Sequence, residues 1–128
     1  MNENQIAKEV LDAALTVHKR LGPGLLESAY RSCLAYELRK RELKALEEVP
    51  LPLTYDEIEL DCGYRIDLFV EDKFIVELKT VEKLNDIHMA QILTYLKQSE
   101  CKLGLLINFN VTKLRNGVKR VINGVLKE

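Results

Sequence analysis

The sequence predicts an α/β fold, and three observations carry that reading. Apolar residues recur at helical spacing through the N-terminal third, they recur at every second residue through the middle, and Leu103–Phe109 is almost uniformly apolar. Helical stretches beside period-two stretches mean helices packed on a sheet. The uniformly apolar run is expected to be a central strand covered on both faces.

The first helix is expected from about Glu3 to Arg20, with Ile6, Val10, Ala13, Ala14, Val17 and Leu21 on one stripe and Asn2 with Gln5 as a capping box. Gly22-Pro23-Gly24 breaks it. A second helix is expected over Leu25–Arg41, with Leu26, Ala29, Tyr30, Cys33, Leu34 and Leu38 forming its stripe. Val49, Leu51, Leu53 and Tyr55 then alternate with Pro50, Pro52 and Thr54, and the prolines suit an edge strand. Ile58, Leu60 and Cys62 alternate with acidic residues, and Gly63 reads as a bulge. Tyr64–Val70 and Phe74–Lys79 read as strands joined by Glu71-Asp72-Lys73. A third helix follows over Asn85–Gln98, then the Leu103–Phe109 strand. Asn116-Gly117 marks a turn, and Val118–Ile122 is a final short strand or helix. The order is ααββββαβ plus a tail.

The chain has 128 residues, 47% hydrophobic and 30% charged, which fits one domain spanning 1–128 with a core of its own. The N-terminus lacks a signal-peptide hydrophobic region, and no stretch approaches the roughly 18 apolar residues of a membrane span. Cys33, Cys62 and Cys101 are widely spaced and odd in number, so reduced thiols in a cytoplasmic protein are expected. The net charge of -1 gives no overall basic field for nucleic acid. Local basic patches, Arg39-Lys40-Arg41 and Lys113, Arg115, Lys119 and Arg120, are candidates for holding a phosphate backbone or are ordinary solvated faces.

Three charged residues interrupt apolar strand sequence. Asp67 lies in mid-strand, and Glu77 and Lys79 lie two apart on one strand face. Buried unpaired charges are costly, so they need one another, a metal or solvent. If Glu71-Asp72-Lys73 closes an antiparallel hairpin, position 70 faces 74 and 67 faces 77, so Asp67 and Glu77 converge. A loop one residue longer or shorter places them on opposite faces. Two close carboxylates with hard oxygen ligands suit Mg²⁺ or Mn²⁺. Such an ion can acidify a water and neutralise phosphoryl charge, with Lys79 orienting the water or stabilising the transition state. The alternative is a cross-strand ion-pair ladder. His88, Gln91 and Tyr95 share a face of the third helix, where Gln91 and Tyr95 can orient Lys79, a water or a phosphate. His88 alone reads as an ordinary surface histidine. Glu27, on a stripe with Tyr30 and Leu34, is either a further metal ligand or a carboxylate favouring the helix dipole.

Together these residues resemble a known family. Gly24-Leu25-Leu26-Glu27-Ser28-Ala29-Tyr30 is similar to the G-x-x-E-x-x-Y signature of the bacterial GxxExxY proteins, placed in the PD-(D/E)xK nuclease superfamily. The resemblance continues through Tyr64-Arg65-Ile66-Asp67, Val76-Glu77-Leu78-Lys79 and His88–Tyr95, and ends in Leu105–Phe109 and Asn116–Arg120. Glu27, Asp67, E-x-K and Q-x-x-x-Y also resemble the RecB-like nucleases. The resemblance implies a restriction-endonuclease-like core, with a mixed four- to five-stranded sheet flanked by helices. It implies Asp67, Glu77 and Glu27 as ligands of Mg²⁺ or Mn²⁺, Lys79 as the catalytic lysine, and Gln91 and Tyr95 as catalytic supports. Tyr30 and His88 would be accessory. Ile66 stands where the nominal motif has proline.

The leading expectation is a metal-dependent nuclease acting on DNA or RNA. The rival is a non-catalytic module that keeps the fold and binds nucleic acid or protein. Either leaves room for a homodimer or a protein partner.

Overall fold

The computed structural model describes residues 1–126. Helix α1 (Glu3–Leu21) and helix α2 (Glu27–Lys40) are followed by strands β1 (Ala45–Pro50), β2 (Leu53–Tyr55), β3 (Ile58–Leu60), β4 (Arg65–Val70) and β5 (Phe74–Lys79). Helix α3 (Asp86–Gln98), strand β6 (Leu103–Asn108), a 3-10 turn (Leu114–Gly117) and strand β7 (Val118–Ile122) complete the chain. The Asn2–Gln5 capping box opens α1, and Gly22 closes it with φ +68°.

Strands β1-β4-β5-β6-β7 form one mixed sheet, in which only β5 and β6 run parallel. Helices α1 and α2 cover one face, burying Ile6, Val10, Tyr30, Leu34 and Leu38 over Leu68, Val76, Leu78 and Ile107. Helix α3 covers the other, with Ile92, Tyr95 and Leu96 over Ile75, Leu106 and Val121. This arrangement explains the uniformly apolar β6, in which all six residues are buried. Gly104 lets α3 approach it, because a Cβ there would lie 2.7 Å from the Ile75 carbonyl and 3.1 Å from the Ile92 side chain.

Two expectations change and one open alternative is decided. The Val49–Tyr55 alternation is divided: β1 starts earlier and ends at Pro50, on the sheet edge, whereas Leu53–Tyr55 pairs with Ile58–Leu60 in a separate two-stranded ribbon. Pro50 and Pro52 cause the break, since neither carries an N–H for a continuing ladder. The ribbon is tethered to α3 by Gln98, whose amide donates to Thr54 O at 3.2 Å and accepts from Thr54 N–H at 2.9 Å. Gly63 is no bulge; it sits between β3 and β4 with φ +78°. The final segment Val118–Ile122 is a strand, paired antiparallel with β6. No helix among the described residues is long and apolar enough to cross a membrane.

Candidate active site

The β4–β5 hairpin has the register that the spacing requires, with Val70 opposite Phe74, Phe69 opposite Ile75 and Leu68 opposite Val76. Glu71 and Asp72 make the turn at φ 53° and 58°. Lys44 braces it, donating from its N–H to Glu71 at 2.9 Å and from its ammonium to Asp72 at 3.1 Å. Beyond Leu68 and Val76 the two strands part. Strand β4 stays paired to β1 as far as Arg65, and β5 to β6 as far as Lys79, so the sheet forks between them.

Asp67 and Glu77 stand at the mouth of that fork. The Asp67 N–H donates to Oε2 of Glu77 at 2.7 Å, and the Leu78 N–H donates to Oδ2 of Asp67 at 2.8 Å. Carboxylate oxygens thus take the place of the missing ladder carbonyls, which holds both side chains without freedom to turn away. On the other side of β4, Glu48 faces this point with φ 50°, a left-handed conformation uncommon for a non-glycine residue. The deviation of β1 and the fork in β4–β5 fall at the same level of the sheet.

Electrostatics reflect the crowding. Glu77 is 3% exposed, and burial, then the charge of Asp67, push its pKa up to about 8. Burial raises Asp67 as well, against the Leu78 N–H, Lys79 and Arg31, which favour its charged form. Glu27, at the start of α2, is raised by burial and then by Asp67, while Lys79 and Arg31 pull it down. The three carboxylates therefore share one field, with Lys79 and Arg31 as its counter-charges.

Lys79 extends from β5 towards α3 and donates to Oε1 of Gln91 at 3.0 Å. The Gln91 amide lies 3.4 Å from the Tyr95 hydroxyl. Burial, then the charge of Glu77, push the Tyr95 phenol up to about 12, so it stays neutral. Helix α3 thus supplies a line of hydrogen bonds that fixes the ammonium. Asn108, 1% exposed, locks the segment after Lys79 by bonding both Val81 N–H (3.1 Å) and Val81 O (2.8 Å).

The structure places two of the accessory residues in the scaffold. The Tyr30 hydroxyl donates to Gly22 O at 2.5 Å and accepts from Leu25 N–H at 3.1 Å, and its ring stacks on Phe109 at 4.5 Å. It clamps the Gly22–Leu25 turn that presents Glu27. The His88 ring accepts from Asn85 N–H at 3.1 Å and so belongs to the α3 capping box. Of the first basic patch, Arg39 bonds Ala45 O at 3.0 and 2.8 Å and Arg41 lies 3.9 Å from Glu9, so these two serve local packing. In the second, Arg120 bonds Asn4.

Sequence reasoning missed Arg31, one turn after Glu27 on α2 and 3.4 and 3.5 Å from Glu47 and Glu48. The i, i+4 spacing from Glu27 was the available signal. Glu48 and Asn108 gave no signal in period or composition.

A hard divalent cation fits this donor set. Oxygens Oδ1 of Asp67 and Oε1 of Glu77 are engaged by no other described residue, and a cation between the carboxylates offsets the burial that raises both and the charge of Asp67 that adds to it at Glu77. Among the described residues no three His, Cys, Asp or Glu side chains make a closed ligand group. A bound ion would therefore depend on solvent or main-chain oxygen for the rest of its shell.

The sequence model of the PD-(D/E)XK nuclease superfamily matches residues 4–121. The chain belongs to that superfamily, and its three helices on a mixed five-stranded sheet form a restriction-endonuclease-like core. No curated protein and no solved structure matches it.

Proposed function

We propose that this chain is a divalent-metal-dependent nuclease that hydrolyses phosphodiester bonds in DNA or RNA, as one domain over residues 1–128. The observation that carries the reading is the fork: two carboxylates held face to face by main-chain N–H groups, with a hydrogen-bonded lysine two residues on. Membership of a nuclease superfamily supports the same conclusion. The Gly24–Tyr30 segment resembles the signature of the bacterial GxxExxY proteins, which supports that branch, and its free cysteines suit a cytoplasmic setting.

In this reading Asp67 and Glu77 are the metal ligands, with Glu27 a third that reaches the ion through water. Mg²⁺ or Mn²⁺, when bound, neutralises phosphoryl charge and acidifies the attacking water. Lys79 faces the charge that develops on the phosphoryl oxygens, and Gln91 keeps it pointed there. Tyr95, neutral at any working pH, steadies Gln91. Glu27 and Arg31 border the site on the α2 side, where Arg31 offers a donor for the adjacent phosphate.

The test is cleavage of single-stranded, double-stranded and branched DNA, and of RNA, with Mg²⁺, Mn²⁺ or EDTA. Metal-dependent cutting is expected, with Glu77→Ala and Lys79→Ala each slower by about 100-fold or more in folded protein. No cutting and no metal-induced rise in melting temperature would favour a non-catalytic binding module instead.

A further inference from the structure

Beside Lys79 lies a second feature, which shares Gln91 and Tyr95 with the hydrolytic site and extends beyond it. A pocket of about 210 Å³ is lined by Leu53, Tyr64, Gln91, Thr94 and Tyr95. Its walls are chemically divided. Tyr95 is buried at 5% exposure and Tyr64 meets it edge-on, with centroids 6.1 Å apart and planes at 64°. Tyr64 itself is 41% exposed. Leu53, carried in by the β2–β3 ribbon that Gln98 ties to α3, adds an aliphatic wall.

The polar groups are few and converge from one helix. The Thr94 hydroxyl is engaged by no described residue, and one N–H of the Gln91 amide is left over after its bond to Tyr95. An aromatic face, an aliphatic wall and two hydrogen-bonding groups are what a heteroaromatic base requires. The pocket is also joined to the reacting centre, because Gln91 lines it while accepting from Lys79 at 3.0 Å. Arg65, at the start of β4, is exposed and pairs with no described carboxylate. Further out, the ribbon carries Asp56, Glu57, Glu59 and Asp61, which repel a phosphate backbone and keep the strand from running along the ribbon.

We propose that this pocket seats one unpaired nucleobase next to the phosphate being cut, stacked on Tyr64 and hydrogen-bonded by Gln91 and Thr94. A paired base cannot enter, since its edge and both faces are already occupied in the duplex. The substrate class is therefore single-stranded nucleic acid, or a duplex with a displaced or unpaired nucleotide. This inference rests on the nuclease reading, but it can fail separately from it.

The experiment is equilibrium binding of short fluorescent DNA and RNA oligonucleotides in EDTA, where no cutting occurs, with cleavage in Mg²⁺ measured in parallel. The wild type is expected to bind single strands at least ten-fold more tightly than duplex. Tyr64→Ala is expected to lose roughly ten-fold or more, and Tyr64→Phe to retain binding. Abasic residues scanned along the strand should weaken wild-type binding at one position and leave Tyr64→Ala indifferent there. Comparing DNA with RNA tells which sugar the strand carries. No wild-type binding, preference for duplex, or single-strand binding that ignores Tyr64 would overturn the pocket. Cutting that survives those results would leave the nuclease reading intact, whereas Tyr64-dependent binding without cutting would count against that reading alone.

Discussion

At the scale of single residues, the site is a balance between burial and charge. Glu77 is the most strained member, because it is buried beside Asp67 and its pKa stands at about 8. The folded protein then holds more protons than the unfolded chain between about 4.5 and 8, so stability falls as pH rises through that window. Asp67 and Glu27 are raised too and act in the same direction. In EDTA, the melting temperature is expected to decline from pH 5 towards pH 8.5, and Glu77→Gln to flatten the decline. The glutamine keeps an oxygen for the Asp67 N–H yet removes the penalised charge, so at pH 8.5 it should melt a few degrees higher than wild type. A profile that is flat in the wild type, or a glutamine variant that melts lower at pH 8.5, would refute this account. Lys79 has a different dependency: its position is set by Gln91. Replacing Gln91→Ala is expected to slow cleavage by about 10- to 100-fold with the metal concentration dependence unchanged, since no ligand is removed. A shifted metal dependence would show that Gln91 acts through the carboxylates instead. The convergence of Asp67, Glu77 and Lys79 was legible in sequence because a period of two and a three-residue turn fix the register. The fork was not legible, because it depends on side-chain oxygens replacing ladder carbonyls, and neither the strand period nor residue type encodes that exchange. Arg31 was hidden for a related reason: its value lies in Glu47 and Glu48, distant in sequence.

At the scale of elements, the site depends on three presentations: the β4–β5 fork, the start of α2 and one face of α3. The α2 presentation rests on Tyr30, whose hydroxyl satisfies Gly22 O and Leu25 N–H at once. Tyr30→Phe leaves the ring on Phe109 but orphans both groups, and about 1–3 kcal/mol of stability is expected to be lost. Urea unfolding reads this, and a loss under about 0.5 kcal/mol would mean that solvent replaces the hydroxyl. The α3 presentation rests on Gly104, where a methyl group would collide with the Ile75 carbonyl. Gly104→Ala is therefore expected to cost about 1–3 kcal/mol and to loosen the Lys79–Gln91 contact, lowering activity along with stability. Helices α1, α2 and α3 were legible from their stripes and caps, and β4, β5 and β6 from period and apolarity. The stretch from Ala45 to Tyr55 was not. Its alternation runs unbroken through two prolines, and only the ladder shows that β1 pairs with β4 while Leu53–Tyr55 turns out into the ribbon that lines the pocket.

At the scale of the whole molecule, the two sheet faces divide the labour: α1 and α2 seal one core, while α3 seals the other and steadies the lysine. The net charge of -1 leaves no general attraction for a polyanion, and the acidic β2–β3 ribbon repels one. Phosphate contact is then confined to groups around the fork, with Lys79, Arg31 and Arg65 the donors available. Three contacts to a single strand predict a slope of roughly -2 for log affinity against log salt, a loss of about ten- to twenty-fold between about 50 and 200 mM. Base stacking on Tyr64 is insensitive to salt, so Tyr64→Ala should lower the affinity at every salt concentration and leave the slope unchanged. Arg65→Ala should reduce the slope by close to 0.7, the share of one phosphate. Titrations of a single-stranded oligonucleotide in EDTA at several salt concentrations measure all three quantities. A slope of about -5 or steeper would mean that the strand tracks along a broader basic surface, such as the Lys113–Arg120 segment, and that the fork is not its principal contact.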